Sequence, residues 1–182
     1  MRRSLLLACL LLGGCASTQS TRPAGDSPQA PVLMHKMGTG LDVSMGGDIA
    51  TVSSAVPAPV DRAYQALPRA YAALGIEVRT LDPAAHVVGN PELHVRGRLA
   101  GRRLSELLDC GNNSTGPIAD QYSIRLNVRT ELVAAGAASE ARTTVSAIAR
   151  NMDGTLSSDI RCGSKGTLEP LITTALLTAL GG

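Results

Sequence analysis

The sequence predicts an α+β domain: an antiparallel sheet of about four to six strands with two main helices packed on one face. Three observations lead there. Tyr122, Ile124, Leu126, Val128, Thr130 and Leu132 alternate with Ser123, Arg125, Asn127, Arg129 and Glu131, the period-two signature of a half-buried strand. Val60, Tyr64, Leu67, Tyr71 and Leu74 recur at spacings of three and four, which is one face of a helix. Leu168 to Leu180 is apolar apart from one charge, Glu169, and reads as a second helix. The order strand, helix, several strands, helix segregates the helices from a run of strands, as an antiparallel sheet requires.

Each element has its own local reason. Ile49 to Val56 is short and rich in β-branched residues, a strand signal. Pro57 and Pro59 punctuate, and Pro59 suits a first helical turn. In the helix that follows, Asp61, Arg62, Gln65 and Arg69 fall off the apolar stripe, and Gly75 suits the position just past its end. Pro68 lies inside it, at a cost of about 3 kcal/mol for an interior position, and predicts a kink. Ile76 to Leu81 alternates as a strand that Asp82-Pro83 ends. His86 to Gly89 reads as a short strand broken by Asn90-Pro91. Leu93, Val95, Gly97 and Leu99 alternate with His94, Arg96 and Arg98, predicting a strand with a basic outer face.

Leu104, Leu107 and Leu108 suggest one or two helical turns before Cys110, and Gly111 to Pro117 reads as a polar loop. After the long strand, the small residues Ala134 to Ser139 predict a turn, and Arg142 to Arg150 a hairpin partner. Asn151 to Gly154 is a second turn, Leu156 to Arg161 a shorter strand, and Thr167 a cap for the last helix, which Gly181 and Gly182 end. A helix this apolar is expected to pack against the sheet, since large exposed apolar patches are rare.

Composition narrows the function. The 182 residues suit one ordinary domain. With no Trp, no Phe and three Tyr, the core is aliphatic, and few rings are available to stack sugars or single-stranded nucleic acid. The net charge of +2 comes from Arg2 and Arg3. Residues 1–14 contain no acid, so without them 15 basic residues face 15 acidic ones, and no nucleic-acid partner is expected. Arginine outnumbers lysine 15 to 2, which reads as genome bias.

The first fourteen residues have the grammar of an export signal. Arg2 and Arg3 form a basic start, Leu5 to Leu12 an apolar run too short to span a bilayer, and Gly13-Gly14 a small-residue end. Leu12-Gly13-Gly14-Cys15 resembles the lipobox of bacterial lipoproteins; Cys9, inside the apolar run, lacks the preceding small residues. The resemblance covers the first 15 residues. It implies cleavage before Cys15, a diacylglycerol on its sulfur, an acylated amine, and anchoring in the cell envelope. Each buried methylene contributes about 0.8 kcal/mol, so two or three acyl chains hold stably where one does not. Ala16 rather than Asp after the cysteine implies, by the same resemblance, the periplasmic side of the outer membrane in a Gram-negative cell. The expected organisation is 1–14 signal peptide, 15–47 lipidated N-terminus and flexible tether, and 48–182 globular domain. Ala16 to Pro31 is the clearest tether; Val32 to Gly47 reads as more tether or as an edge strand.

The strand, helix, sheet, helix order is similar to the helix-grip domains of BamC-like lipoproteins of outer-membrane assembly, a likeness of topology that implies a partner-binding module. Cys110 and Cys162 are the remaining thiols of the exported part, and outside the cytoplasm a disulfide between them is expected. It would close a loop of about 50 residues, for which the chain-entropy model gives up to about 4 kcal/mol.

Met34, His35, Met37 and Met45 offer soft ligands for Cu(I), but one His and the adjacent Lys36 make a poor set, so no metal is expected. Asn112-Asn113-Ser114-Thr115 matches the glycosylation acceptor twice and reads only as an exposed loop. His94, Arg96, Arg98, Arg102 and Arg103 form a basic cluster, read either as a solvated face or as a contact for lipid phosphate, lipopolysaccharide or an acidic partner. No GxSxG, HExxH, P-loop or GxGxxG pattern occurs, so neither catalysis nor a cofactor is expected. The expectation is a membrane-anchored envelope lipoprotein with a non-catalytic interaction or assembly role, its partners envelope proteins. The alternatives are a carrier with a small apolar ligand between sheet and last helix, and an enzyme with an unrecognised site.

Overall fold

The computed structural model describes residues 51–151 and 159–181 in full and, before them, the backbone of strand segments within 32–50. The expected export signal, Cys15, the expected tether at 16–31, the side chains of the methionine segment, and all but the first residue of the turn expected at Asn151 to Gly154 lie outside the described residues. In chain order the elements are β1 (Val32–His35), β2 (Asp42–Gly46), β3 (Ile49–Val56), α1 (Val60–Ala73), β4 (Thr80–Asp82) and β5 (Val87–Arg96). Short pieces follow: β6 (Arg98–Leu99), β7 (Arg102–Arg103), α2 (Leu104–Leu107), β8 (Leu108–Asp109), β9 (Asn112–Asn113), β10 (Gly116–Pro117) and α3 (Ile118–Gln121). The chain then makes β11 (Ser123–Ala135), β12 (Ala138–Arg150), β13 (Asp159–Ser164) and α4 (Leu168–Gly181).

The fold is α+β, and its main sheet is antiparallel in the order β1-β2-β3-β12-β11-β5-β4. This is larger than the expected four to six strands. The hairpin β1–β2 extends one edge beyond β3, and β13 joins along β12. Two partners fit because β12 is long: β3 pairs with its residues 139–145 and β13 with 147–150. The β11–β12 hairpin is paired from Ser123↔Arg150 to Ala135↔Ala138, with Gly136 in a left-handed turn at φ 67°. The expected turn Ala134 to Ser139 is therefore strand except at its tip, since small residues pack along a ladder as readily as they turn.

Three further sequence expectations are corrected. Ile76 to Leu81 is strand only from Thr80, because Ile76 is buried in the core and the Asn90 Nδ2 donates to the Glu77 carbonyl at 2.8 Å. Asn90-Pro91 does not break its strand: β5 runs through, with a bulge where the register against β11 shifts between Leu126 and Val128. A bulge frees one residue from the ladder, which is where a proline without an N–H fits. Asn90 Oδ1 accepts the Glu92 N–H at 2.9 Å and braces the bend. Gly89 is required beside it, since a Cβ there would lie 2.7 Å from the Val128 carbonyl oxygen. Finally, the strand expected through Leu99 ends at Arg96. Gly97 turns the chain at φ 70°, and Arg98–Leu99 folds back on Arg102–Arg103. The expected polar loop at 111–117 contains the small β9–β10 hairpin.

Both long helices pack on the sheet face that carries Ile124, Leu126, Val128, Ala141 and Val145, and on each other. The buried side of α1 is Ala63, Ala66, Leu67, Ala70 and Tyr71, while Val60, Tyr64 and Leu74 are only partly covered. The alanines let the helix approach its neighbours closely, which a stripe of large residues would prevent. α4 buries Leu168, Ile172 and Leu176, one residue per turn. Its exposed Thr174 and Thr178 hydroxyls donate to carbonyls four residues back. At its C-terminus, Arg62 and Arg69 of α1 donate to the Leu180 and Ala179 carbonyls at 3.1 and 3.3 Å, where the helix leaves acceptors unpaired. Among the described residues, no helix is long and apolar enough to cross a membrane.

Candidate functional site

The helices cover one face of the sheet, and the alternation of each strand determines what the other face presents. Reading across the ladders, His94 of β5 lies opposite Arg125 of β11, Arg125 opposite Ile148 of β12, and Ile148 opposite Arg161 of β13. Two residues along, Arg96, Ser123, Arg150 and Asp159 form a parallel row. Residues paired this way share a sheet face. Four strands distant in sequence thus bring four arginines and a histidine onto one open surface.

This surface is concave. Ser123, Arg125, Ser146 and Ile148 of the central strands are half-buried, while Asn127 and Arg150 on those strands and His94, Arg96, Asp159 and Arg161 on the flanking ones are exposed. A groove of about 460 Å³ crosses from Pro91 and Glu92 at the bulge, past Arg125, Asn127 and Ile148, to Arg161. A second hollow of about 190 Å³ shares Arg125 and Ile148 with it and extends to His94 and Arg150. The bulge in β5 and the change of partner along β12 flank this site, and bulges re-aim side chains and deepen local twist.

The electrostatics leave donors available. Arg150 grips Asp159 with both ends of its fork, Nε to Oδ1 at 2.8 Å and Nη2 to Oδ2 at 3.0 Å. That hydrogen bonding holds the Asp159 carboxyl below the usual carboxylate range, and the charge of Arg125 adds to it. Arg125 meets Glu92 at a looser 3.6 Å, with both side chains well exposed, a contact of little energetic weight. Arg96, Arg161 and His94 make no hydrogen bond or ion pair among the described residues. Guanidinium forks of this kind match carboxylate and phosphate oxygens in pairs.

The basic cluster expected from sequence is divided. His94 and Arg96 belong to the open-face rows. Past the turn at Gly97, Arg98 lies beside Ala73, Leu74 and Gly75 at the end of α1 and donates to the Gly101 carbonyl at 2.7 Å. Arg102 pairs with Glu106 at 3.3 Å, and the Arg103 N–H is accepted by the same carboxylate. The Arg98 and Arg102 side chains are thus engaged locally, and none of the three arginines past Gly97 continues the row. Arg125, Ile148, Arg150 and Arg161 were missed. Their outward positions are readable from alternation, but their juxtaposition needs the cross-strand register.

Cys110 and Cys162 are joined, with an S–S distance of 2.04 Å and Cα atoms 4.2 Å apart. The bridge ties the 104–121 excursion to β13 immediately after Arg161. Below the sheet, the space beside α4 is filled by Leu168, Ile172 and Leu176, at most 1% exposed. Among the described residues, no group of three His, Cys, Asp or Glu side chains is placed to hold a metal ion. Neither the protein-family models nor the curated proteins searched contain a match to this chain.

Proposed function

We propose that this chain is an exported lipoprotein, anchored in the cell envelope by acyl chains on Cys15, that works without catalysis by docking another envelope protein on its open sheet face. The observation that carries the reading is the two-row surface itself: a concave face, uncovered by the helices, on which guanidinium groups outnumber carboxylates. A sheet face serving only as a solvated exterior needs no such excess of one sign at its centre. The lipobox-like Leu12 to Cys15 and the Ser-, Thr-, Gly- and Pro-containing segment after it support an anchor with a flexible reach.

The anchor is tested by fractionating cells that produce the wild type or Cys15→Ser in the presence of radiolabelled palmitate. The wild type should carry label and sediment with membranes, and the variant should carry none and be released. A variant that stays with membranes, or a wild type that never takes label, defeats the anchoring reading.

A further inference from the structure

We propose that the open-face groove takes an extended acidic segment of a partner protein, seating one aliphatic side chain on Ile148 with carboxylates on Arg125 and Arg161 to either side. The inference rests on the partner-docking reading and is independent of the lipid anchor.

The register supplies the pattern. Ile148 stands between Arg125 and Arg161 in a single cross-strand row, an apolar contact flanked by two forks. Strands lie about 4.8 Å apart, so the backbones of these arginines are separated by roughly 10 Å. Alternate residues of an extended peptide face the same way, and three of them, acidic, aliphatic and acidic, span about 13 Å. Flexible arginine stems cover the difference. Arg161 has no partner among the described residues, and Arg125 can exchange its loose contact with Glu92 for a better one. Arg96 adds charge in the next row, whereas Arg150 is already committed to Asp159.

The same geometry argues against other occupants. Ile148 is half-buried between the two forks, a seat for an apolar side chain that the flat phosphate plane of a bilayer does not supply. The two forks are held apart by Ile148, an arrangement for two carboxylates on one chain and not for one phosphate. Nor does the chain's own N-terminal segment fit: residues 16–47 contain only Asp26 and Asp42 as acids, too far apart for an acidic, aliphatic, acidic run.

The test uses the full chain in a zwitterionic detergent and a fluorescein-labelled peptide of the repeat Glu-Ser-Ile-Ser, which sets Glu, Ile and Glu on one side of an extended chain, followed by anisotropy. Saturable binding is expected, weakened by added salt. Arg125→Ser or Arg161→Ser should each weaken it about tenfold, as loss of a hydrogen bond to a charged group does. Ile148→Ser should also weaken it, and Arg102→Ser should not, with thermal melting confirming that every variant is folded. Absence of binding, or equal binding by the Arg125→Ser/Arg161→Ser variant, overturns the proposal. So does displacement of the peptide by inorganic phosphate, or by soluble dihexanoyl phosphatidylglycerol, at lower concentration than by unlabelled peptide. In cells, a crosslink from position 148 to a partner segment that is not acidic would sink this inference and leave partner docking standing.

Discussion

At the start of α4 the Glu169 side chain is fully withdrawn from solvent. Its Oε1 accepts the Ser164 hydroxyl at 2.5 Å, and its Oε2 has no partner among the described residues. Burying a carboxylate with one oxygen unsatisfied is costly, so burial pushes this carboxyl above the usual range, against the opposing pull of Ser164 and nearby backbone amides. A group that binds its proton more tightly folded than unfolded stabilises the fold fully below its unfolded value, and that contribution is lost as pH rises through the folded value. Asp159 and Glu140 act oppositely. Hydrogen bonds from Arg150, and from Arg142 and Ser53, lower them, so their contribution is lost on acidification. Glu169→Gln keeps the shape and removes the titration. Its melting temperature relative to wild type should rise as pH increases through and above the ordinary glutamate range, because the contributions of Asp159 and Glu140 cancel in the difference. A difference independent of pH would mean that Glu169 ionises in place at no cost. The sequence displayed Glu169 as the lone charge of an apolar helix. Its inward orientation was not legible, because glutamate at a helix start is ordinarily a solvated partner of the dipole.

Among the elements, legibility followed the locality of the signal. The β11 alternation and the two long helices are set by patterns within one segment, and they appear where the pattern places them. β5 was read as two pieces because Asn90-Pro91 is a breaker in isolation. Only the presence of β11 on the other side, with Gly89 allowing its carbonyl to approach, turns the break into a bulge. The α1 stripe stands out in the sequence by its large residues, whereas the side buried in the fold is mostly alanine. The disulfide works at this scale too. It closes a separation of 52 residues and anchors β13, whose Arg161 forms the far wall of the groove. The Cys110→Ala/Cys162→Ala variant should lose up to about 4 kcal/mol of stability in urea unfolding, and its slope against denaturant should rise, because the denatured chain without the crosslink exposes more surface. A loss within error of zero would show that the bridge constrains neither state.

For the whole molecule, the two faces of one sheet divide the work. One face, with α1 and α4, holds the aliphatic core that the absence of Trp and Phe demanded. A chain of hydroxyls crosses it: Tyr71 to Thr130 and Thr130 to Thr143, each at 2.9 Å. The other face gathers charge from β5, β11, β12 and β13. The basic cluster from His94 to Arg103 is visible in the sequence, but three of its five residues lie past the turn at Gly97. The arginines that complete the surface lie tens of residues downstream, beyond the reach of any local pattern. Ile148, half-buried in the groove, and Leu177, 40% exposed on α4, are aliphatic sites on different faces of the molecule. A photo-crosslinking amino acid placed in living cells at each in turn compares the two faces directly. A discrete crosslink to another envelope protein is expected from position 148, absent from position 177 and abolished by Arg125→Ser/Arg161→Ser. Equal labelling from both positions, or a crosslink from 177 alone, would contradict that expectation.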